Sequence, residues 1–591
     1  MPTKMRLTSL LLLLNYLALV ACKNIVLIVT DDQDSVLDGM TPMTNTLNLV
    51  GRQGATFTNC FVASPICCPN RASILTGRYQ HNHLTVNNSI AGGCSSAQWQ
   101  RSREPATFAA LLRNVAGYTT FYAGKYLNQY GNRKVGGAAH VPMGWDWWAG
   151  LIGNSRYYDY SLSINGTERK YGDSPSDYLT DVINNLAVDF IKGYSGNQPF
   201  LMVLAPPAPH APFTPADRHN GKYNGTKAKR TPNFNIPVHQ DKHWLVRESP
   251  TPLPDNILPK LDKIYRRRWE SLLAVDELVK NIHDLLEERS LLDDTYFIYT
   301  SDNGYHIGQF SMPMDKRQPY ETDIRVPLLI SGPGIEPSTI SAPVSSVDIF
   351  ATLLNIAGVE YPSDGTTLFN ANRNLSGDRT VLIEYRGERS NKPSSSGCPS
   401  DSDLNVTLCA KEMACKCQDA ANNTFSCIRR VSSNFNNVFC IFEDDQRFVE
   451  AYDMNVDEYQ MANIGYTMKK GLRHRFRKRL KRMVVCQDAQ CVFTGPDRRA
   501  NAGEAIPLYG DFGGSFDPRS IARLGVFSDL RYIAAETCKS RLADETFYSV
   551  FIDRWSERSP PCWQGSMAFV AFLAVDPGFT FVPLSPSIRG F

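Results

Sequence analysis

The chain has 591 residues and sets 62 Lys and Arg against 59 Asp and Glu, a formal charge of 62 − 59 = +3. That balance excludes a globally polybasic nucleic-acid binder, and 42% hydrophobic with 20% charged residues excludes a disordered or fibrous chain. The length suffices for several ordinary domains, or for one large α/β domain with smaller additions.

In chain order, Lys4 and Arg6 precede an apolar run from Leu10 to Ala21, broken only by Asn15. The run is too short to cross a bilayer and fits the apolar region of an export signal over residues 1–22. Val20-Ala21-Cys22 offers small residues for cleavage, so the mature chain is expected to start near Lys23. Leu19-Val20-Ala21-Cys22 also fits a bacterial lipoprotein box, with Cys22 lipidated. The 15 Cys and the glycosylation sequons at Asn87, Asn165, Asn224, Asn374, Asn405 and Asn422 favour the eukaryotic secretory route. No later segment reads as transmembrane: the run Met567 to Val575 is ended by Asp576-Pro577.

Three continuous apolar runs read as strands buried on both faces of a parallel sheet. They are 24–30, followed by Asp31-Asp32; 200–205, followed by Pro206-Pro207-Ala208-Pro209-His210; and 295–300, followed by Ser301-Asp302-Asn303-Gly304. Amphipathic stretches at 265–288 and 347–357 alternate with them and predict an α/β domain from about 23 to 370. Polar residues after three buried strands mark the carboxyl edge, where open α/β sheets place their sites. Residues 371–519 form a Cys-rich region, with six Cys between 398 and 440, and 520–591 carry no usable motif. Removing Cys22 leaves 14 Cys, and setting aside Cys67, for the reason below, leaves an odd 13, so Cys68 is expected to be unpaired. Cys486 and Cys491 are close enough to close a small loop, and the remaining connectivity stays open.

The residues that suggest chemistry are spread widely. Asp31, Asp32, Asp302 and Asn303 are hard oxygen donors suited to Ca²⁺ or Mg²⁺. Cys67-Cys68-Pro69-Asn70-Arg71, with Leu75-Thr76-Gly77 behind it, follows the C-x-P-x-R…L-T-G pattern of the type I sulfatases. Gly124-Lys125-Tyr126 and Pro209-His210-Ala211-Pro212 resemble two further segments of that family, and Lys316 stands where it carries another lysine. Within the family, Ala123 to Tyr130, Arg78 to His83, His239 to Arg247 and Tyr305 to Phe310 look like the glucosamine-6-sulfatases, with similarity extending to Phe516-Asp517-Pro518-Arg519.

The resemblance implies an alkaline-phosphatase-like fold, with a large, mostly parallel sheet flanked by helices and a smaller C-terminal subdomain. It implies conversion of Cys67 to formylglycine by a formylglycine-generating enzyme and one Ca²⁺ held by Asp31, Asp32, Asp302, Asn303 and residue 67. Arg71, Lys125 and Lys316 would neutralise charge on the transferring sulfate, and His210 would protonate the sugar oxygen. The implied reaction is hydrolysis of 6-O-sulfate from N-acetylglucosamine units of heparan or keratan sulfate, in the lysosome or after secretion. The chain could pair as a homodimer, and another sulfatase, a related phosphoesterase, an extracellular endosulfatase and an inactive glycosaminoglycan-binding protein remain alternatives. A long basic insertion of the endosulfatase kind is not present. One departure matters: many sulfatases carry His two residues after the G-K-x lysine, and here that position is Leu127. His306, three residues after Asn303, is the expected substitute as base, or else a substrate or loop residue. Finally, Lys469 to Arg482 hold nine Lys and Arg, with Leu472, Phe476, Leu480 and Met483 at helical spacing, and read as a basic amphipathic helix. Its face is plain solvated surface, a contact for sulfated polysaccharide, or a nucleic-acid or membrane-surface site, with export arguing against nucleic acid.

Overall fold

The computed structural model describes residues 23–369, 378–388, 411–416 and 418–495. The export signal, the sequons Asn374 and Asn405, Cys398, Cys409 and Cys417, the 516–519 segment and the 520–591 tail lie outside the described residues.

The strands are β1 (Asn24–Thr30), β2 (Ala55–Phe61), β3 (Thr119–Gly124), β4 (Trp147–Leu151), β5 (Ser161–Ile164), β6 (Thr167–Lys170), β7 (Phe200–Ala205), β8 (Thr295–Ser301), β9 (Arg325–Ser331), β10 (Ser338–Ile340), β11 (Val344–Ser345), β12 (Arg379–Tyr385), β13 (Phe425–Val431), β14 (Asn436–Phe442), β15 (Val449–Asp453) and β16 (Phe493–Thr494). The described helices of nine residues or more are α1 (Cys67–Thr76), α2 (Phe108–Ala116), α3 (Leu179–Gly193), α4 (Leu258–Glu288), α5 (Val347–Ile356) and α6 (Lys470–Met483).

The large sheet has the order β10-β2-β9-β8-β1-β7-β3-β4-β5-β6, with β11 also paired to β2. Its centre is parallel: β1 pairs β7 and β8, and β3 pairs β7 and β4, all in that sense. Ile25, Leu27 and Val29 of β1 face a core shared with α1, α2 and α5. Val26 and Ile28 face the opposite core, built with α3 and α4. The central strands are therefore covered by helices on both sides, which is why their sequence shows no polar alternation. α4 begins at Leu258, earlier than the apolar stripe suggests. Pro259 sits in its first turn, where a missing N–H costs nothing.

A second, antiparallel sheet follows, in the order β15-β14-β13-β12-β16. One face of it joins the core that contains β1, through Val381, Ile383, Val438 and Tyr452. The other packs Leu382, Ile428 and Phe439 against Phe476, Leu480 and Met483 of α6. The small sheet thus shares a core with the large one, and the described residues of both lie in one compact unit.

Disulfides join Cys68 to Cys94, Cys427 to Cys440 and Cys486 to Cys491. The expectation of an unpaired Cys68 is corrected. Cys60, 1% exposed on β2, is a free thiol instead. Parity could count an odd thiol but could not locate it.

Candidate active site

Parallel register creates the site. Thr30 stands opposite Ser301, so Asp31-Asp32 and Asp302-Asn303 leave β1 and β8 side by side. On the other flank, Lys125 follows β3 and bonds the Ala205 carbonyl at the end of β7, at 2.9 Å. Gly124, with φ +114°, makes that approach possible: a Cβ there would lie 2.1 Å from the Ala205 oxygen. Asp32 itself adopts φ +70°, an uncommon backbone for a non-glycine residue and one that clusters at functional sites. Arg268 of α4, 3% exposed, holds that turn. It donates to the Asp32 carbonyl at 2.7 Å, to the Pro209 carbonyl at 3.3 Å and to Asp34 Oδ1 at 3.2 Å, with its guanidinium over the Tyr305 ring at 4.3 Å.

α1 delivers the sulfatase-like motif. All ten of its residues are buried, and Cys67 opens it, with Sγ 3.6 Å from Asp31 Oδ1 and 3.9 Å from Asp32 Oδ1. One turn later, on the same face, Arg71 donates from Nε to Asp302 Oδ2 and from Nη1 to the Lys125 carbonyl, both at 2.8 Å. Its Nη2 lies 3.8 Å from Asp31 Oδ1 and has no hydrogen-bond partner among the described residues.

Three carboxylates thus face three cations. Lys125 Nζ reaches both oxygens of Asp31, at 2.9 and 2.8 Å, and Lys316 Nζ both oxygens of Asp32, at 2.6 and 2.7 Å. Burial works against ionising Asp31, but Lys125, His210, Arg71 and Lys316 outweigh it and hold the carboxyl well below the usual range. Asp302 goes the other way: burial, only partly offset by Arg71 and reinforced by Asp31, raises it to about 6. Burial pushes the Cys67 thiol far up despite Lys125 and Lys316.

These groups suit a hard divalent cation. Asn303 donates Nδ2 to Asp32 Oδ1 at 2.7 Å, while its buried Oδ1 has no hydrogen-bond partner among the described residues. An orphaned amide oxygen beside three carboxylates is the donor set expected for Ca²⁺ or Mg²⁺. Asp31, Asp32, Cys67 and His210 also bring ligand atoms within 4.8 Å of one another.

His210 joins the cluster. Its Nε2 lies 3.8 Å from Asp32 Oδ2, and Nδ1 sits 2.6 Å from the Ala211 carbonyl. His306 is engaged elsewhere. Its Nδ1 lies 2.9 and 3.0 Å from the two oxygens of Asp323 and its Nε2 3.0 Å from the Gln418 amide, so both ring nitrogens are committed. Its backbone pairs with Asp315, next to Lys316. Short sequence distance from Asn303 therefore does not bring the ring to the carboxylates. Sequence reading also missed Ser155, whose Oγ donates to Asp31 Oδ2, together with Arg268 and Asp323. None belongs to a spaced motif. The only available clue was the position of Ser155 just beyond a strand, and β4, with its exposed Trp147, does not read as one.

A family model described as Sulfatase matches residues 23–359. The chain is 47% identical over 476 residues to the N-acetylglucosamine-6-sulfatase of Homo sapiens, covering 79% of this chain and 85% of that protein. It is 39% identical to a putative extracellular sulfatase Sulf-1 homolog of Caenorhabditis elegans, over 58% of this chain and 47% of that protein. Its fold matches the solved structure of BT4656 in complex with its substrate D-glucosamine-2-N,6-O-disulfate, with a TM-score of 0.60 and 24% identity, covering 78% of this chain and 97% of that one.

Proposed function

The chain belongs to the sulfatase family, and from that we propose that it hydrolyses the 6-O-sulfate ester of N-acetylglucosamine units in heparan- and keratan-type glycosaminoglycans. The observation that carries the reading is the placement of Cys67 between Asp31 and Asp32 at the start of α1, beside Arg71, Lys125 and Lys316. As a thiol the residue is a poor nucleophile, because the thiolate is the reactive form and burial disfavours it. Oxidised to formylglycine and hydrated, residue 67 would supply two hydroxyls on one carbon, so that no water need attack sulfur. Asp31, Asp32, Asp302 and Asn303 are the residues to hold Ca²⁺, which supplies Lewis-acid polarisation of sulfate oxygens.

The chain's own groups account for the rest. The Nη2 of Arg71, without a hydrogen-bond partner among the described residues, and the ammonium groups of Lys125 and Lys316 are preorganised donors for charge developing on the sulfate. With three carboxylates against three cations, the pocket takes a divalent cation and a singly charged ester without a large net charge. His210, fixed through Nδ1, has Nε2 available to exchange a proton with the sugar oxygen. His306 and Asp323 act as positioning residues for the loop that carries Lys316. Formylglycine formation implies passage through the secretory pathway, with the lysosome as destination. Exposed sequons at Asn165 and Asn224 are compatible with that route.

The test pairs two measurements on purified enzyme. We expect sulfate release from N-acetylglucosamine 6-sulfate and a residue-67 tryptic peptide lighter than its cysteine form. Full activity with an unmodified cysteine would refute the nucleophile. A formylglycine-bearing enzyme inert toward the 6-sulfate would refute the substrate.

A further inference from the structure

We propose that α6 is a docking surface for the sulfated polysaccharide whose sugar units the active site desulfates, an inference that rests on the functional reading above. Helical periodicity sorts its outward cations into two adjacent rows: Arg475, Lys478 and Arg482 on one, Lys470, Arg477 and Lys481 on the next. All six are exposed. The opposite face is fixed. Phe476, Leu480 and Met483 are buried on the small sheet, and Arg479 turns inward to Thr380 Oγ1 at 2.5 Å and the Gly495 carbonyl at 3.1 Å. At 1.5 Å per residue, the 14-residue helix presents a rigid stripe about 21 Å long.

That stripe opposes the helix that carries it. Like charges at i and i+4, such as Arg477 with Lys481 and Lys478 with Arg482, repel one another. The first turn carries Lys470 and Arg473 and no acid, although the helix dipole favours anions there. From Tyr459 to Gln487 the sequence has no Asp or Glu. Nine basic residues fall in 469–483, and the 53 remaining Lys and Arg against 59 Asp and Glu leave −6, so this one segment turns the formal charge of the chain from negative to positive. A linear anion laid along both rows relieves this repulsion and supplies the missing negative charge. A polysaccharide fits better than a membrane. Interfacial helices bury an apolar face in lipid, and the apolar face of α6 is already buried in protein.

The test compares wild type with Arg475→Gln/Lys478→Gln/Arg482→Gln and with a charge-matched control, Lys222→Gln/Lys263→Gln/Lys280→Gln, built on other exposed lysines. Substrates are N-acetylglucosamine 6-sulfate and a size-defined heparan sulfate oligosaccharide ending in that unit. For the α6 variant we expect KM for the oligosaccharide to rise about tenfold, with kcat and the monosaccharide KM unchanged and with earlier elution from heparin. An unchanged oligosaccharide KM and heparin elution would overturn the proposal, as would an equal shift in the control. Lost binding confined to phosphatidylserine vesicles would overturn it in favour of a membrane. If wild type does not act on the monosaccharide, the reaction is wrong, and heparin elution still decides α6 separately.

Discussion

Arg268→Met separates holding the site from forming it. The guanidinium is buried and compensates Asp34, whose carboxyl burial already raises despite Arg268. Removing one partner of a buried pair costs about 3–5 kcal/mol. The described residues number 442, and at about 2.1 cal/mol/K per residue their unfolding entropy is about 0.9 kcal/mol/K, so the loss corresponds to a Tm drop of about 3–5 °C. The activity loss has a different origin. The carbonyls of Asp32 and Pro209 lose their donor, and the left-handed Asp32 turn loses its clamp along with the approach to His210. Displacement of reacting groups by about 1 Å can cost about 10²-fold in rate. Adding Asp34→Asn removes the uncompensated charge while keeping an acceptor for the Leu37 N–H, 2.7 Å from Asp34 Oδ2. The double variant should therefore recover most of the Tm but not kcat. Differential scanning calorimetry and steady-state kinetics on the two variants decide the matter. A double variant that regains both, or a single variant with normal Tm and kcat, would refute the reasoning.

Four further outcomes follow from the same geometry. Cys67→Ser should fold normally and fail to turn over, since one hydroxyl replaces two, and multiple turnovers by this variant would exclude the formylglycine reading. Asp31→Asn with Asp302→Asn should lower calcium content, measured by elemental analysis, together with activity, and unchanged content would remove these residues from the ligand set. His306→Ala should lower kcat without accumulating sulfated enzyme, as checked by intact mass; accumulation would make the ring a base after all. His81, 2.8 Å from Glu384, is raised to about 9 because the Glu384 charge and hydrogen bond outweigh burial. A raised folded value stabilises fully below the unfolded value of about 6.5 and is lost as pH climbs through about 9, so up to about 3 kcal/mol should disappear across that window in wild type but not in His81→Asn.

The parts legible in the sequence share a physical cause. β1, β7 and β8 are buried on both faces, so unbroken apolar runs marked them and their ends marked the site. β6 was illegible because all four of its residues are exposed, and β4 because it opens on an exposed Trp147. Within the site, the resemblance of one contiguous segment to the sulfatases revealed Cys67 and Arg71, which share one helix turn. Contacts between distant segments left no pattern: Arg268 lies 236 residues from Asp32, and the Cys68 disulfide needed the position of Cys94. His306 shows the opposite failure, since proximity in sequence placed it in a different network.

The burial of Cys67 also sets a clock. The thiol is 0% exposed, so an enzyme that oxidises it must act before the strands close over it. Asp302, which locks α1 through Arg71, lies 231 residues further along the chain. At about 5–20 residues per second, synthesis of that stretch takes roughly 10 to 50 s. During that interval β8 and its Asp302 do not yet exist, so Arg71 lacks the carboxylate that locks α1 at the site. If residue 67 is oxidised as proposed, the parallel register that assembles the site doubles as a delay, and a faster-translated or prematurely collapsed chain would trap residue 67 as an inert thiol.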